Sequence, residues 1–196
     1  MQEKTAKQSL IVFFGLTGSG KSYLAERWAN AKGYPYHNSD TVRKDLAGVG
    51  VSSRHHVPFN EGLYSPEMTS RTYDEILKRA LNDLNIGATG VVLDGSYGRD
   101  SQRNSIVEAL STRCKIVFIL CHCSETVSKE RFTQRGNDHQ AVSDGRWEIY
   151  TGQIRSFSYP QRNEGTHLLK LNTDYPVKNL IEQVDAYIDK TGHGRS

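Results

Sequence analysis

The amino-acid sequence predicts an α/β fold in which a five-stranded parallel sheet is covered by helices on both faces. Strand-like apolar segments alternate with helix-like segments along nearly the whole chain, which is the order typical of parallel sheets. Two of the strand-like segments, 10–14 and 115–121, are almost wholly apolar. This composition is expected for central strands that are buried on both faces.

The remaining elements follow from periodicity and capping residues. Apolar side chains recur at helical spacing in segments that begin at residues of the N-cap type, such as Ser65 before Pro66, and end at glycine, such as Gly33. In chain order, helices are predicted at 22–32, from about 38, at 65–86, at 100–110, from 124 and at 176–188, and further strands at 34–37, 90–95 and 166–171.

A glycine-rich segment follows the first strand directly. Its residues, Gly15-Leu16-Thr17-Gly18-Ser19-Gly20-Lys21-Ser22, fit the pattern G-x-x-x-x-G-K-[ST] at every fixed position. The glycines let backbone N–H groups surround phosphate oxygens, Lys21 brings a positive charge to the β- and γ-phosphates, and Ser22 is placed to bind Mg²⁺. We therefore predict a loop that binds ATP and Mg²⁺, with contacts extending to Tyr23. The alternative is a flexible Gly/Ser turn between a strand and a helix.

A carboxylate and an arginine follow the second predicted strand. Asp40 and Arg43, at positions i and i+3, share one helix face. If the second strand lies beside the first, both residues reach the crevice at the carboxyl ends of the strands, where open α/β sheets bind ligands. Asp40 could then accept a proton from an attacking hydroxyl, and Arg43 could hold the acceptor. The alternatives are that Ser39 or Asp40 only caps the helix and that Arg43 is a solvated surface charge.

The third predicted strand ends in Asp94, which could hold Mg²⁺ directly or through water. The alternative is an aspartate that caps a helix or forms a turn. Arg99 follows and could face the same crevice.

Arg131 and Arg135 lie four residues apart at the base of segment 136–157, which we interpret as a mobile lid. They could reach the transferring phosphate, or they could belong to an ordinary solvated basic helix.

Composition limits the class of protein. The chain has 196 residues, 36% of them hydrophobic, and a net charge of +3, which suits one globular domain at 10–190. We expect a polar arm at 1–9, a disordered tail at 191–196, and an acceptor-binding loop at 48–64. The N-terminus lacks the apolar core of a signal peptide, no run reaches the roughly 18 apolar residues of a membrane span, and the three cysteines cannot all pair. A cytoplasmic protein with no membrane partner is expected.

Together these motifs resemble the P-loop kinases, specifically the group with phage polynucleotide 5′-hydroxyl kinase, the zeta toxins and uncharacterised predicted kinases. The resemblance covers about 10–188 and rests on GLTGSGKS, SDTVRKDLAG, LYSPE, VVLDGSYGRDSQR, RFTQRG and SDGRWEIY. It implies the three-layer sandwich of P-loop NTPases with a helical lid. It also implies that Asp40 activates the acceptor hydroxyl, that Arg43 holds the acceptor, that Arg131 and Arg135 are lid arginines, and that Thr173 lies near adenine.

The function expected from this resemblance is transfer of the γ-phosphate of ATP–Mg²⁺ to a hydroxyl of a small molecule. Two alternatives stay open at this point. The acceptor could be a polynucleotide 5′-hydroxyl, although scattered basic residues and a net charge of +3 do not favour nucleic acid. The protein could also be a nucleotide-binding regulatory module without an acceptor. The sequence leaves acceptor identity and oligomeric state open.

Overall fold

A computed structural model describes residues 8–50, 62–136, 147–160 and 167–192. The strands in this part of the chain are β1 (Ser9–Phe14), β2 (Tyr36–Asn38), β3 (Gly90–Gly95), β4 (Lys115–His122) and β5 (His167–Asn172). The helices are α1 (Lys21–Lys32), α2 (Ser39–Ala47), α3 (Pro66–Asn85), α4 (Asp100–Leu110), α5 (Glu125–Gly136), α6 (Trp147–Ser156) and α7 (Val177–Gly192), and a short 3-10 helix, Gly62–Tyr64, precedes α3.

All five strands form one parallel sheet in the order β2-β3-β1-β4-β5. The predicted five-stranded parallel sheet is therefore confirmed. The second strand does not lie beside the first, because β3 lies between β2 and β1. The carboxyl end of β2 still reaches the same edge, since Asn38 is aligned with Asp94 of β3, and Gly95 with Phe14 of β1.

The period-two alternation of β1 divides the core into two layers. Leu10, Val12 and Phe14 pack on one face against α2, α3 and α4, whereas Ile11 and Phe13 pack on the other against α1 and α7. All five side chains are fully buried. Complete burial of a large apolar side chain contributes roughly 1.5–3 kcal/mol, so this strand anchors both layers and fixes the position of the loop that follows it.

Several predicted boundaries agree with the structure. Gly33 ends α1 in a left-handed conformation, and the Ser65 hydroxyl caps α3 by accepting a hydrogen bond from Met68 N–H at 3.2 Å. Residues 1–7 of the predicted arm, 51–61 of the predicted acceptor loop, 137–146 of the predicted lid and 193–196 of the predicted tail lie outside the described residues. Within the described ranges, none of the helices combines the length and apolar character needed to cross a membrane.

Candidate active site

The loop between β1 and α1 brings backbone N–H groups to the carboxyl edge of the sheet. The N-cap residue of α1, Gly20, has φ 78° and makes no side-chain cap hydrogen bond. The first N–H groups of an α-helix have no acceptor within the helix, so this end attracts phosphate oxygens. Lys21 opens α1, and its Nζ lies 3.5 Å from the carbonyl oxygen of Leu16, so the lysine folds back over the loop.

Neighbouring atoms approach two positions of the loop so closely that only glycine fits there. Gly15 has φ 141°, and a Cβ there would lie 2.3 Å from the carbonyl oxygen of Cys121. Gly18 has φ 81°, and a Cβ there would lie 2.7 Å from the ring of Phe132 on α5. Neither position accommodates a side chain without movement of its neighbours, which explains the glycine that the motif fixes at position 15 and the further glycine at position 18.

Two side chains from other elements hold the loop from outside. Arg131 of α5 donates to the carbonyl oxygen of Gly18 at 3.2 Å, to Thr173 Oγ1 at 3.1 Å and to the Thr173 carbonyl oxygen at 2.7 Å. The Thr173 hydroxyl in turn donates to the carbonyl oxygen of Ser19 at 2.6 Å. These bonds contradict the alternative that Arg131 belongs to a solvated helix face, and they couple α5 and the segment after β5 to the phosphate loop.

Asp94 lies at the centre of a buried polar network. It is fully buried in β3, and its Oδ2 accepts hydrogen bonds from the Tyr36 hydroxyl at 2.7 Å and from Asn38 Nδ2 at 2.5 Å. Its Oδ1 is buried and has no hydrogen-bond partner among the described residues. A carboxylate oxygen in this condition needs a cation, a water or a further donor. Asp94 is not a helix cap, since the N-cap residue of α4 is Arg99.

Asn38 links this network to the helix that carries Asp40. Its Oδ1 accepts hydrogen bonds from the backbone N–H groups of Asp40 and Thr41, both at 3.0 Å, which makes Asn38 the N-cap of α2. The alternative that Ser39 or Asp40 caps this helix is therefore wrong. Because Asn38 performs the capping, the carboxylate of Asp40 is left for other contacts.

The side chains of Asp40 and Arg43 form an ion pair. Arg43 donates to Asp40 Oδ1 at 3.0 Å, and its guanidinium carbon lies 4.7 Å from the centre of the Tyr64 ring. Arg43 is 6% exposed, so the alternative of a solvated surface charge is wrong. Its Nε is buried without a hydrogen-bond partner among the described residues. A buried guanidinium with a spare donor is suited to a ligand with oxygen acceptors.

One cleft brings most of the predicted site residues together. The phosphate loop, α2, the segment after β3, and α6 all contribute to its walls. The predicted residues that line it are Thr17, Lys21, Ser22, Asp40, Arg43 and Arg99. Arg99 is exposed at its rim. Asp94 is not among the lining residues, although its partner Asn38 is.

A second pocket lies against the start of α1. Tyr23, Arg131 and Thr173 line it together with Gly20 and Tyr175. The two tyrosine side chains are 53% and 59% exposed, and the Arg27 guanidinium covers one face of the Tyr23 ring, with its central carbon 3.4 Å from the ring centre. The predicted nucleotide contacts Tyr23 and Thr173 therefore share one surface, and Arg131 lies here rather than in the cleft that holds Asp40.

Burial changes the acidity of the tyrosines near the site. The pKa of Tyr36 is raised above its usual range, first by burial and then by the adjacent negative charge of Asp94. The pKa of Tyr73, which lines the cleft, is also raised by burial. Both hydroxyls thus stay protonated at physiological pH, and Tyr36 serves as a hydrogen-bond donor to Asp94.

Three residues of the site, Asn38, Tyr36 and Gln153, are not marked by any pattern in the sequence. Asn38 is followed by Ser39 and Asp40, which are also common N-cap residues, so the sequence does not show which of the three caps the helix. Tyr36 resembles an ordinary strand residue, and Gln153 of α6, whose Oε1 accepts a hydrogen bond from Thr17 N–H at 2.8 Å, has no charge that would mark it. Arg135 belongs to α5, but its side chain lies outside the described part of the chain, so its predicted role stays a prediction.

Comparison with known proteins places this geometry in a family. A family model described as an AAA domain matches residues 10–159. This match covers well over half of the chain and includes the phosphate loop, Asp40, Asp94 and Arg131. The chain belongs to this AAA-domain family.

Two sequence relatives and one solved structure extend the comparison. An uncharacterised protein of Mycobacterium tuberculosis is 31% identical over 147 residues, which is 74% of this chain but 29% of the relative. The AAA-domain chain therefore spans less than a third of the length of that relative. A shikimate kinase of Chlorobium phaeobacteroides is 23% identical over 96% of this chain and 97% of its own length.

The solved structure of a sugar kinase from Janibacter superposes on this AAA-domain chain with a TM-score of 0.69. It covers 93% of this chain and 95% of the other at 16% sequence identity. An identity this low shows the fold alone, and that fold is the predicted three-layer kinase fold with a P-loop. The narrower resemblance to polynucleotide kinases and zeta toxins stays a prediction.

Proposed function

We propose that this protein transfers the γ-phosphoryl group of ATP to a hydroxyl group of a small-molecule acceptor. One observation carries the proposal: Lys21 of the phosphate loop and the Asp40–Arg43 pair of α2 line the same cleft. A cation for phosphate and a carboxylate for a hydroxyl thus meet in one space, which is the requirement for phosphoryl transfer to an alcohol. Kinases of small molecules among the relatives support the same conclusion.

The nucleotide would bind with its phosphates in the loop from Gly15 to Ser22. Backbone N–H groups of this segment and the start of α1 would surround the phosphate oxygens, whereas the Ser19 N–H donates to the Leu16 carbonyl oxygen at 3.2 Å. The base would occupy the second pocket, where Tyr23 and Thr173 contribute to the lining and Arg131 offers a planar guanidinium for stacking.

The residues present also fit Mg²⁺. Ser22 brings a hydroxyl to the cleft, and Asp94 has a buried carboxylate oxygen without a partner among the described residues. Serine hydroxyls, carboxylates and phosphate oxygens are the ligands that Mg²⁺ takes in kinases. We assign Ser22 and Asp94 to hold the ion or its water shell. When bound, Mg²⁺ would neutralise charge on the phosphates.

Asp40 would act on the acceptor. Arg43 holds Asp40 Oδ1, which would fix the carboxylate and leave Oδ2 for the acceptor hydroxyl. The acceptor oxygen would form a bond to the γ-phosphorus as the bond from that phosphorus to the β–γ bridging oxygen breaks, and Asp40 would take the hydroxyl proton. Lys21 would balance negative charge on the transferring group. Arg43 and Arg99 would bind oxygen atoms of the acceptor.

The arginines of α5 would serve different parts of the nucleotide. Arg131 is bonded to Gly18 and Thr173, so it would brace the loop and the base pocket; reaching the γ-phosphate would require breaking these bonds. Arg135, one turn further along α5, is the candidate for a lid arginine that contacts the transferring phosphate.

A matched pair of variants tests the proposal. Asp40→Asn removes the proton acceptor, whereas Asp45→Asn alters an exposed aspartate on the same helix that is paired with Arg79. ADP release in the presence of candidate hydroxy compounds should fall about 10²–10⁴-fold in Asp40→Asn, with ATP binding retained, and should be nearly unchanged in Asp45→Asn. Transfer that survives in Asp40→Asn would contradict the assignment of Asp40.

A further inference from the structure

Helix α6 makes a side-chain hydrogen bond to the phosphate loop, and the loop motif does not require this contact. Gln153 Oε1 accepts the hydrogen bond of Thr17 N–H at 2.8 Å, across 136 positions of sequence. Both residues line the cleft that also holds Lys21 and Asp40. The loop amide bonded to Gln153 therefore faces the side on which the acceptor carboxylate lies.

The chemistry of this contact makes it exchangeable. A backbone N–H has one hydrogen to donate, and phosphate oxygens and the Gln153 carbonyl oxygen are both acceptors, so they compete for Thr17 N–H. When a phosphate oxygen takes that hydrogen, Gln153 Oε1 must leave. The same side chain carries two N–H donors on Nε2, which can then bond to the phosphate oxygen that replaced it.

The position of the contact selects one phosphate. On the proposed function, the β-phosphate is held by Lys21 and the start of α1, and only the γ-phosphate extends toward Asp40. We propose that Gln153 is a γ-phosphate-binding residue: it occupies the Thr17 amide when no phosphate competes and bonds to the γ-phosphate when ATP is present. Helix α6 thereby distinguishes ATP from ADP.

Binding measurements on three variants test this proposal. Gln153→Glu keeps an oxygen acceptor for Thr17 N–H but replaces two donors with a negative charge, and Gln153→Ala removes acceptor and donors together. Arg155→Ala, at an exposed position on the same helix, is the control. The dissociation constants of ADP and of adenylyl imidodiphosphate, a non-hydrolysable ATP analogue, are measured by calorimetry with Mg²⁺ present.

Gln153→Glu should weaken binding of the ATP analogue about 10–100-fold. It should weaken binding of ADP less than about threefold, because ADP has no phosphate at this position. Gln153→Ala should weaken binding of the ATP analogue by a smaller factor, since alanine adds no negative charge that repels the phosphate. Arg155→Ala should leave the ratio of the two constants unchanged. Equal weakening of both nucleotides, as a merely structural contact would give, or no change in either, would overturn the proposal.

This inference rests on the proposed function, and its failure is distinguishable from the failure of that function. The ratio of the two constants is measured without turnover, whereas the proposed function stands on loss of transfer in Asp40→Asn. If Asp40→Asn retains transfer while Gln153→Glu discriminates against the ATP analogue, the assignment of Asp40 fails and that of Gln153 stands. If Asp40→Asn abolishes transfer and the ratio is constant across the Gln153 variants, the reverse holds.

Discussion

Asn38 joins the buried carboxylate of Asp94 to the helix that carries the proposed base, Asp40, and replacing Asn38 should have a large effect. Its Oδ1 caps α2 by accepting from the N–H groups of Asp40 and Thr41, and its Nδ2 donates to Asp94 Oδ2 at 2.5 Å. Loss of a capping side chain costs about 1 kcal/mol, and loss of a hydrogen bond to a buried carboxylate costs about 1.5–3 kcal/mol. Asn38→Ala should therefore destabilise the fold by about 2.5–4 kcal/mol.

Asn38→Ser separates the two contributions. Serine is a good N-cap residue but offers no amide to Asp94. The free energy of unfolding of this variant should therefore fall by only about 1.5–3 kcal/mol. Both values are accessible from urea unfolding, and a 196-residue chain should show a fall in melting temperature of roughly 2–4 °C per kcal/mol. If both variants stay within about 0.5 kcal/mol of the unaltered protein, the network does not hold α2 in place and the reasoning fails.

The other predictions concern the loop, the alkaline limit of stability and the acceptor. Gly15→Ala should cost about 2–5 kcal/mol in urea unfolding, because a Cβ would lie 2.3 Å from the Cys121 carbonyl oxygen at a φ of 141°; a neutral result would contradict the loop conformation. The raised pKa of Tyr36 means that its stabilisation is present below about pH 10 and is lost as pH rises further. Tyr36→Phe should be less stable at pH 7 by about 1.5–3 kcal/mol, and its stability should fall less steeply above pH 10; identical slopes would argue against burial of this hydroxyl. Arg43→Gln should raise the KM for the acceptor about tenfold or more with the affinity for ATP kept, and an unchanged KM would remove Arg43 from the acceptor site.

The sheet was predictable because its signals are local. Short stretches of sequence show the apolar run of β1, the loop glycines and the change from one strand-like or helix-like segment to the next. Each of these signals has a direct physical cause. The strand order was not predictable in the same way. The placement of β3 between β1 and β2 results from pairing between segments that are more than 50 residues apart, and no short pattern encodes it.

The candidate site was predictable where a charge or the phosphate-loop motif marks a residue. Lys21, Asp40 and Arg43 carry groups whose chemistry indicates phosphate and hydroxyl binding, and the structure brings them to one cleft. Asn38 and Gln153 are neutral amides, which are common on ordinary surfaces. Their importance comes from partners on other elements, Asp94 and Thr17, and a single sequence does not show those partners.

The most direct test of the proposed function is the destination of the transferred phosphate. The protein is incubated with γ-labelled ATP, Mg²⁺, a low-molecular-weight metabolite extract and a set of 5′-hydroxyl oligonucleotides, with Asp40→Asn as the control. The predicted result is that a small compound becomes labelled with the unaltered protein and not with Asp40→Asn. The labelled compound would then be the acceptor. Label on the oligonucleotides would contradict the small-molecule acceptor. Label that appears only as free phosphate, equally with both proteins, would contradict phosphoryl transfer to an acceptor that Asp40 deprotonates.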